Sequence, residues 1–258
     1  MTTARPVLAG LTVLVPRARD QASQLSALLR ARGAEPLEVP TIEIRPVVST
    51  AELDRAVQDL AAGRHDWVVL TSVNGVAALR ARAEAAGRGP DALGGRARVA
   101  AVGPATEAAL RDWGVVPDLV PEVATTVALG HAFPPGSGSV LLARADLANP
   151  ELGVLLRAKG WETTEVVAYH TVPVGTIDPA ARRRLDGGEV DWVAFTASST
   201  VEGFLRGYGG PPPPGVRVAA IGPVTAGTAR SAGIPVAATA TDHTIGGLVE
   251  AIERAVTG

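Results

Sequence analysis

The chain of 258 residues contains no cysteine, and aromatic residues make up only 3% of it. The absence of cysteine excludes disulfides, thiolate catalysis and cysteine metal sites, and it fits the reducing cytoplasm, where we expect the protein to reside. The scarcity of rings leaves little for the stacking platforms of RNA and single-strand binders. No stretch approaches the roughly 18 uninterrupted apolar residues of a membrane span. We therefore expect neither nucleic acid nor a membrane as a partner.

An excess of one charge is also lacking. The 24 lysines and arginines nearly balance the 26 acidic residues, so the net charge is -2 and any anion site must be local. The sequence has no GxGxxG after a strand, no P-loop and no GxSxG elbow, which weighs against the common nucleotide and hydrolase mechanisms. The histidines are scattered without metal-ligand spacing, and we predict no metal site. They are His65, His131, His170 and His243.

The chain repeats itself, which indicates two units related by duplication. Each repeat alternates a short apolar run with an amphipathic helical pattern. In the third pair below, the helix of each copy leads to a glycine, Gly33 or Gly160, that suits the position after a helix end. The matching segments are 66–72 (DWVVLTS) with 191–197 (DWVAFTA), 98–106 (RVAAVGPAT) with 217–225 (RVAAIGPVT), and 13–17 (VLVPR) with 140–144 (VLLAR).

Short β-branched runs between helical patterns predict parallel sheets covered by helices, the doubly wound α/β class. Two further extended stretches, Glu38–Val47 and Thr163–Val174, follow matching helices and are predicted to pair as two linking strands. The expected division is a discontinuous lobe of 1–37 and 175–258, a lobe of 47–162, and linkers of 38–46 and 163–174. Other strands are expected near 11–15, 66–71, 97–102, 117–120, 140–144, 190–196, 216–221 and 235–238.

Hydroxyl side chains and glycines follow several predicted strands and open helices. In open parallel sheets, ligands bind beyond the carboxyl ends of the strands, where helix N-termini present unpaired N–H groups. Capping explains each such residue taken singly, whereas four such positions in a duplicated chain favour a cleft for carboxylates or phosphates. The predicted binding residues are Thr71, Ser72, Gly103, Thr106, Thr196, Ala197, Ser198, Ser199, Gly222 and Thr225.

Three larger side chains are further candidates. Arg17 and Arg144 occupy equivalent places after the first strand of each repeat, where they could form salt bridges or grip substrate carboxylates. Tyr169 lies in the second linking stretch. Ordinarily it would be a half-buried strand residue, but its place in the expected cleft favours a role in chemistry.

Together with Tyr169-His170-Thr171, these segments resemble the uroporphyrinogen-III synthase family nearly from end to end. The order and spacing of the motifs carry the resemblance, since each motif alone is loose. The family fold implies two flavodoxin-like parallel-sheet lobes joined by a two-stranded β-ladder hinge. The family's substrate, hydroxymethylbilane, is held in the cleft and is cyclised with loss of water and inversion of ring D through a spiro intermediate, without cofactor or metal.

By this resemblance, Tyr169 is the catalytic tyrosine that helps the hydroxyl to depart. Ser72 falls on the first-lobe serine, and Thr225 falls on the threonine of the second Gly-Pro-x-Thr. The family often has serine at the position of Ala197, so that a hydroxyl role there passes to Ser198 or Ser199, or backbone N–H groups replace it.

We expect a cytoplasmic monomer, which could make transient contact with hydroxymethylbilane synthase. The alternative is a two-lobed regulatory homologue that binds a small anion or a tetrapyrrole without catalysis, because fold alone does not determine function. The replacement of serine by Ala197 favours that alternative. Some relatives carry an added DNA-binding domain, for which we expect no room after the last helix.

Overall fold

The computed structural model describes residues 6–18, 22–94 and 97–258, in which strands and helices alternate. The strands are β1 (Thr12–Val15), β2 (Glu35–Glu38), β3 (Ile42–Pro46), β4 (Trp67–Leu70), β5 (Arg98–Ala101), β6 (Ser139–Ala145), β7 (Glu162–Pro173), β8 (Trp192–Phe195), β9 (Arg217–Ala220) and β10 (Ala238–Thr239). The helices are α1 (Ser23–Ala31), α2 (Ala51–Ala61), α3 (Val73–Ala85), α4 (Asp91–Gly94), α5 (Pro104–Asp112), α6 (Thr126–Ala132), α7 (Glu151–Ala158), α8 (Pro179–Asp186), α9 (Ser198–Tyr208), α10 (Pro223–Ser231) and α11 (Ile245–Thr257). Within the described ranges, no helix combines the length and apolar character needed to cross a membrane.

The chain divides into two compact units, each with its own sheet. Unit 1 comprises the chain up to Glu43 together with Val172–Gly258, and unit 2 comprises Ile44–Thr171. The chain passes between the units within β3 and again within β7, and these two strands are neighbours in the second sheet. Both passages fall inside the segments for which the sequence predicts linkers, and their action as a hinge stays a prediction.

The sheet of unit 1 has the order β10-β9-β8-β1-β2, and each described pairing in it is parallel. Taken in chain order, its five strands occupy the arrangement 2-1-3-4-5, which is that of flavodoxin. β1 lies between two neighbours, with Val13 opposite Pro36 of β2 on one side and opposite Trp192 of β8 on the other. Along the chain, β2 is placed on one side of β1, and β8, β9 and β10 are placed on the other side. The strand order therefore reverses between β1 and β8, which is the switch point of this sheet.

The sheet of unit 2 has the order β3-β7-β6-β4-β5, and β4, β5, β6 and β7 pair in parallel. Its strands β6, β7, β4 and β5 take the places of β1, β2, β8 and β9 in unit 1. A single parallel bridge between Ala100 and Leu119 stands where unit 1 has β10. The predicted α/β class with two parallel sheets is therefore confirmed, and the strand order in unit 2 reverses between β6 and β4.

Apolar side chains on both faces of each sheet explain why the central strands are apolar throughout. In β1, Val13 and Val15 pack on one face with residues of α1 and α11, while Leu14 packs on the other with residues of α8 and α9. In β4, Val68 and Leu70 join one core cluster, and Trp67 and Val69 join another. Helices on both faces remove both sides of the sheet from water, as expected for parallel sheets.

The repeated Asp-Trp motif serves the fold. The Oδ2 atoms of Asp66 and Asp191 accept the backbone N–H groups of Ser139 at 2.8 Å and Thr12 at 2.7 Å, at the amino ends of β6 and β1. Each following tryptophan lies under a guanidinium of the next strand, with Arg98 5.6 Å from the ring centre of Trp67 and Arg217 4.3 Å from that of Trp192. The most recognisable part of the repeat thus lies at the opposite end of the strands from the predicted site.

Four segments differ from the sequence prediction. β2 is not predicted, since Pro36 and two glutamates disfavour a strand. It forms at the edge of the sheet because β1 pairs with it along its whole length. Residues 117–120, which begin with Pro117 and precede Pro121, make a single bridge, and the strand expected at 235–238 is replaced by the two-residue β10 (Ala238–Thr239). The linking strand expected over Glu38–Val47 is shorter in the structure, where only β3 (Ile42–Pro46) belongs to the second sheet.

One buried hydroxyl costs stability in unit 1. Ser26 of α1 is fully buried, and its Oγ has no hydrogen-bond partner within the described part of the chain. We expect Ser26→Ala to raise the free energy of unfolding by about 1 kcal/mol, because it removes an unsatisfied polar group. The exposed Ser23→Ala on the same helix is the control. A lower melting temperature for Ser26→Ala than for the unchanged protein would contradict this account.

Burial of His65 makes the stability of unit 2 depend on pH. Its Nδ1 lies 2.8 Å from the Oγ of Ser139, and burial lowers the pKa of His65, against the opposing effect of Asp59 and Asp66. As pH falls through the ordinary histidine range, the unfolded chain binds this proton before the folded chain does, so stability falls. We expect the loss of unfolding free energy between pH 7.5 and 5.5 to shrink in His65→Gln, measured by denaturant titration.

The control for the pH experiment is His131→Gln, which removes an exposed histidine from the same unit. That variant should keep the pH dependence of the unchanged protein. Equal pH slopes in His65→Gln and the unchanged protein would show that burial of His65 does not govern the slope.

Candidate active site

The switch points of both sheets carry the predicted arginines and threonines. In unit 1, Arg17 follows β1 and Thr196 follows β8, the two strands between which the order reverses. In unit 2, Arg144 lies near the end of β6 and Thr71 follows β4. Ligands of open α/β sheets bind beyond the carboxyl ends of the strands at this point. Each unit therefore presents a candidate ligand site of its own.

Helices that follow the strands begin at this edge of each sheet, and three in each unit open next to the predicted site residues or match a helix that does. In unit 2 they are α3, α5 and α6, and in unit 1 they are α9, α10 and α11. Ser72, Thr125 and Thr244 cap α3, α6 and α11 by accepting the N–H group three residues on, at 3.0, 3.1 and 3.0 Å. Unpaired N–H groups and the positive ends of the helix dipoles favour anions there. This edge can hold carboxylates with neutral donors.

Tyr169 and Ser72 meet in unit 2. The Tyr169 hydroxyl donates to the Oγ of Ser72 at 2.9 Å, and the same oxygen accepts the N–H group of Gly75 at 3.0 Å. Ser72 thus caps α3 and holds the phenol at once. The two residues are 97 apart in sequence, and the fold alone brings them together.

An irregularity in β7 turns Tyr169 towards Ser72. Successive side chains of a strand point to opposite faces. Between β6 and β7 the register shifts, so that Arg144 is opposite Val167 but Ala145 is opposite Tyr169, which leaves Ala168 as an extra residue. Ala168 and Tyr169 therefore both pack in the core cluster that contains residues of α3. Bulges re-aim side chains in this way.

The phenol of Tyr169 is protonated at neutral pH. Tyr169 is 9% exposed, and burial raises its pKa above the ordinary tyrosine value. The carboxylate of Asp146 also raises the pKa, whereas hydrogen bonds with Ser72 and Asn74 oppose the shift. A neutral phenol can donate a hydrogen bond to a departing oxygen without first changing its charge.

Ala197 occupies the place of Ser72 in unit 1 and cannot cap α9 with a side chain. Instead, Thr200 turns back: its Oγ1 donates to the carbonyl of Ala197 at 2.6 Å and accepts the N–H group of Ala197 at 3.3 Å. Ser198 is engaged with Thr228, with 2.7 Å between their hydroxyl oxygens, and Ser199 is half-buried. Of these two serines, only Ser198 has a side-chain hydrogen bond within the described part of the chain.

The two Gly-Pro motifs lie under neighbouring loops. A Cβ added to Gly103 would lie 2.5 Å from the Cβ of Ala124, and one added to Gly222 would lie 3.1 Å from the ring of His243. The motif therefore needs glycine for close approach of the next loop. The threonines at N3 of the two helices, Thr106 and Thr225, are 3% and 5% exposed.

Arg144 is engaged within unit 2. Its guanidinium pairs with the carboxylate of Glu165 and donates to the carbonyl of Asn149 at 2.7 Å, and the side chain is 7% exposed. This is the salt-bridged alternative that the sequence leaves open. Arg17 lies half-buried after β1. A substrate-binding role for either arginine stays a prediction.

Several residues at this edge are missed by the sequence analysis. Thr125 and Thr244 are separated by 119 residues, the same offset as Gly103 and Gly222, so a fourth repeat pair would have located both helix starts. His243 stands where unit 2 has Ala124. The described residues contain no group of three His, Asp or Glu side chains suited to a metal ion.

Known proteins that are similar to this chain in sequence and fold share one family. A family model described as uroporphyrinogen-III synthase HemD matches residues 23–250. The chain is 32% identical over 257 residues to the uroporphyrinogen-III synthase of Synechococcus elongatus, which covers 96% of each protein. It is 29% identical over 226 residues to the porphyrin biosynthesis protein HemD of Ruminiclostridium josui, covering 86% of the chain but only 44% of that longer protein. A crystal structure of mutant uroporphyrinogen III synthase from Thermus thermophilus matches with TM-score 0.69 and 25% identity, over 96% of this chain and 99% of that one.

The chain belongs to the uroporphyrinogen-III synthase family. The resemblance inferred from the motifs is thereby confirmed, and the match extends through both units. Uroporphyrinogen-III synthase is a cyclising lyase of porphyrin and heme biosynthesis, and family, relatives and structural neighbours agree on that function. Which residues of this chain bind substrate or assist the reaction is a separate matter.

The double role of Ser72 yields a test. We expect Ser72→Ala to lower the free energy of unfolding by about 1 kcal/mol through loss of the cap. Product affinity should fall by less than about 3 kcal/mol, because backbone N–H groups carry most of the anion binding. Thr125→Ala, which removes a cap of the same kind without touching Tyr169, is the control. A larger loss of affinity in Ser72→Ala, measured by product titration, would make the serine a main binding group.

Proposed function

We propose that this protein cyclises hydroxymethylbilane to uroporphyrinogen III with Tyr169 as the catalytic side chain. The terminal hydroxyl leaves as water, and the substituted carbon of ring D bonds to the methylene carbon that carried it, which gives a spiro intermediate. The bond between that ring D carbon and its original methylene bridge then breaks, and the free carbon of ring D bonds to the released methylene and loses a proton. The proton lost from ring D balances the one taken up by the departing hydroxyl.

The hydrogen bond from the buried Tyr169 to the half-buried Ser72 carries this proposal. It holds a neutral phenol beside the N-terminus of α3, next to the switch point of the unit 2 sheet. The hydroxyl of the substrate can replace the Ser72 oxygen as acceptor, and exchanging one neutral hydrogen bond for another costs little. The phenol is then placed to assist departure of the hydroxyl.

The carboxylates of the substrate bind at the strand ends of both units in this proposal. The neutral donors are backbone N–H groups and hydroxyls at the helix N-termini, which suits a chain of net charge -2. Arg144 reaches a substrate carboxylate only by leaving Glu165, which exchanges one ion pair for another. The proposed binding residues are Arg17, Thr71, Ser72, Gly103, Thr106, Arg144, Thr196, Ala197, Ser198, Ser199, Gly222 and Thr225.

The setting of the reaction is also part of the proposal. We infer a cytoplasmic monomer without cofactor or metal, with segments 38–46 and 163–174 as its hinge. The absence of cysteine and the two passages of the chain support these points. The instability of hydroxymethylbilane favours transient contact with the synthase that makes it.

The rival is a homologue that binds a tetrapyrrole or small anion without catalysis. Ala197 favours it, since the cap of α9 carries no side-chain oxygen. The Tyr169–Ser72 pair, intact in unit 2, favours the enzyme. Formation of the type-III isomer by the purified protein decides between the two.

Removing the Tyr169 hydroxyl tests the chemistry. Tyr169→Phe keeps the ring in its core cluster, so stability should change little, while turnover should fall roughly 10²- to 10⁴-fold if general-acid help is lost. Spontaneous closure gives the type-I isomer, whose share should rise as the enzyme slows. Product isomers are separated and quantified at several enzyme concentrations.

The other tyrosine of the chain provides a matched control. Tyr208 in unit 1 donates to the Oδ1 of Asp186 at 2.6 Å. It is the last residue of α9, whereas the predicted site residues lie at the start of that helix. Tyr208→Phe should keep normal turnover and type-III product. Near-normal turnover in Tyr169→Phe would reduce Tyr169 to a packing residue.

A further inference from the structure

Asp146, in the turn after β6, forms hydrogen bonds with the end of β7. Its backbone N–H group donates to the carbonyl of Tyr169 at 3.2 Å. Its Oδ2 lies 2.8 Å from the Nδ1 of His170, and its Oδ1 accepts the N–H group of Thr171 at 3.2 Å. Asp146 therefore contacts three consecutive residues of β7, beginning with the tyrosine.

These contacts lie where the ladder between β6 and β7 is irregular. The register shifts after Arg144, and the extra residue of the bulge, Ala168, immediately precedes Tyr169. A bulge interrupts the ladder hydrogen bonds, so the strand beyond it needs other partners to stay in one orientation. Asp146 supplies them on the far side of the bulge.

The carboxylate of Asp146 is kept ionised there. Burial alone would raise its pKa, but hydrogen bonds from His170 and from the N–H groups of Thr171 and Leu147 outweigh burial and lower it. The charge in turn helps to raise the pKa of Tyr169, after the larger effect of burial. Asp146 thus acts on the phenol through the backbone and through its charge.

We propose that Asp146 is a positioning residue for the cyclisation, which holds the bulged end of β7 so that the Tyr169 hydroxyl keeps its orientation beside Ser72. This inference rests on the proposed function. The Asp146 side chain bonds to His170 and Thr171, so that its effect on Tyr169 passes through the strand and through its charge. The side chains of Asp146 and His170 are 28% and 38% exposed, so their loss leaves the core intact.

A double-mutant cycle with Tyr169→Phe tests this role. Asp146→Ala alone should lower turnover about tenfold and lower the share of type-III product. In the Tyr169→Phe background, the same substitution should change turnover by less than about twofold, because the group that it positions is gone. A merely structural residue would lower activity equally in both backgrounds.

Asp118→Asn is the matched control. Asp118 also accepts a backbone N–H group in unit 2, that of Val99 at 2.7 Å, but at the amino end of β5. It should leave the isomer ratio unchanged. Asp146→Asn keeps one carbonyl oxygen for the Thr171 N–H group, so it should lose less turnover than Asp146→Ala, and it replaces that variant in the cycle if Asp146→Ala fails to fold.

The outcomes separate the inference from the proposed function. An unchanged protein that makes no type-III product overturns the proposed function. An active unchanged protein with the same isomer ratio in the Asp146 variants, or with additive losses in the cycle, overturns the positioning role alone.

Discussion

Parallel pairing of neighbouring strands is the constraint on which the site of this protein depends. In a parallel sheet all carboxyl ends lie on one edge, and each following helix begins there. The pairing of β4 with β6 and of β1 with β8 sets the two switch points. Hydroxyls, glycines and N–H groups from distant parts of the chain therefore gather at one edge of each sheet, while the Asp-Trp motifs stabilise the other edge.

Duplication has kept the backbone and changed the side chains. Both units begin a helix after each equivalent strand, but Ser72 caps one such helix where Ala197 stands at the other. Ala124 covers the first Gly-Pro motif and His243 covers the second. Since the N–H groups of the helix N-termini do not depend on side chains, the proposed anion binding does not require these side chains to be kept. In the proposed mechanism, the chemistry that needs a specific donor lies in unit 2 at Tyr169.

A neutral phenol suits this setting. The pKa of Tyr169 is raised by burial and by Asp146, so the donor keeps its proton at working pH. The surrounding donors are largely neutral. Arg144, which lies near the end of β6 at the switch point of unit 2, is neutralised by its ion pair with Glu165. Orientation then matters more than charge, because a donor assists a departing hydroxyl only when it is aimed at it. In the proposed mechanism, the bulge in β7 and its contacts with Asp146 orient this donor.

The sequence by itself determined the duplication, the α/β class and the strand ends at which Thr71, Ser72 and Gly222 lie, because apolar periodicity and the residues that start helices are local signals. It could not show that β2 pairs despite Pro36, since β1 supplies the pairing. Nor could it show that Ala168 forms a bulge, that Tyr169 meets Ser72 across 97 residues, or that Arg144 is engaged with Glu165. Register and side-chain partners depend on contacts between segments far apart in the chain, and only the tertiary structure decides those contacts.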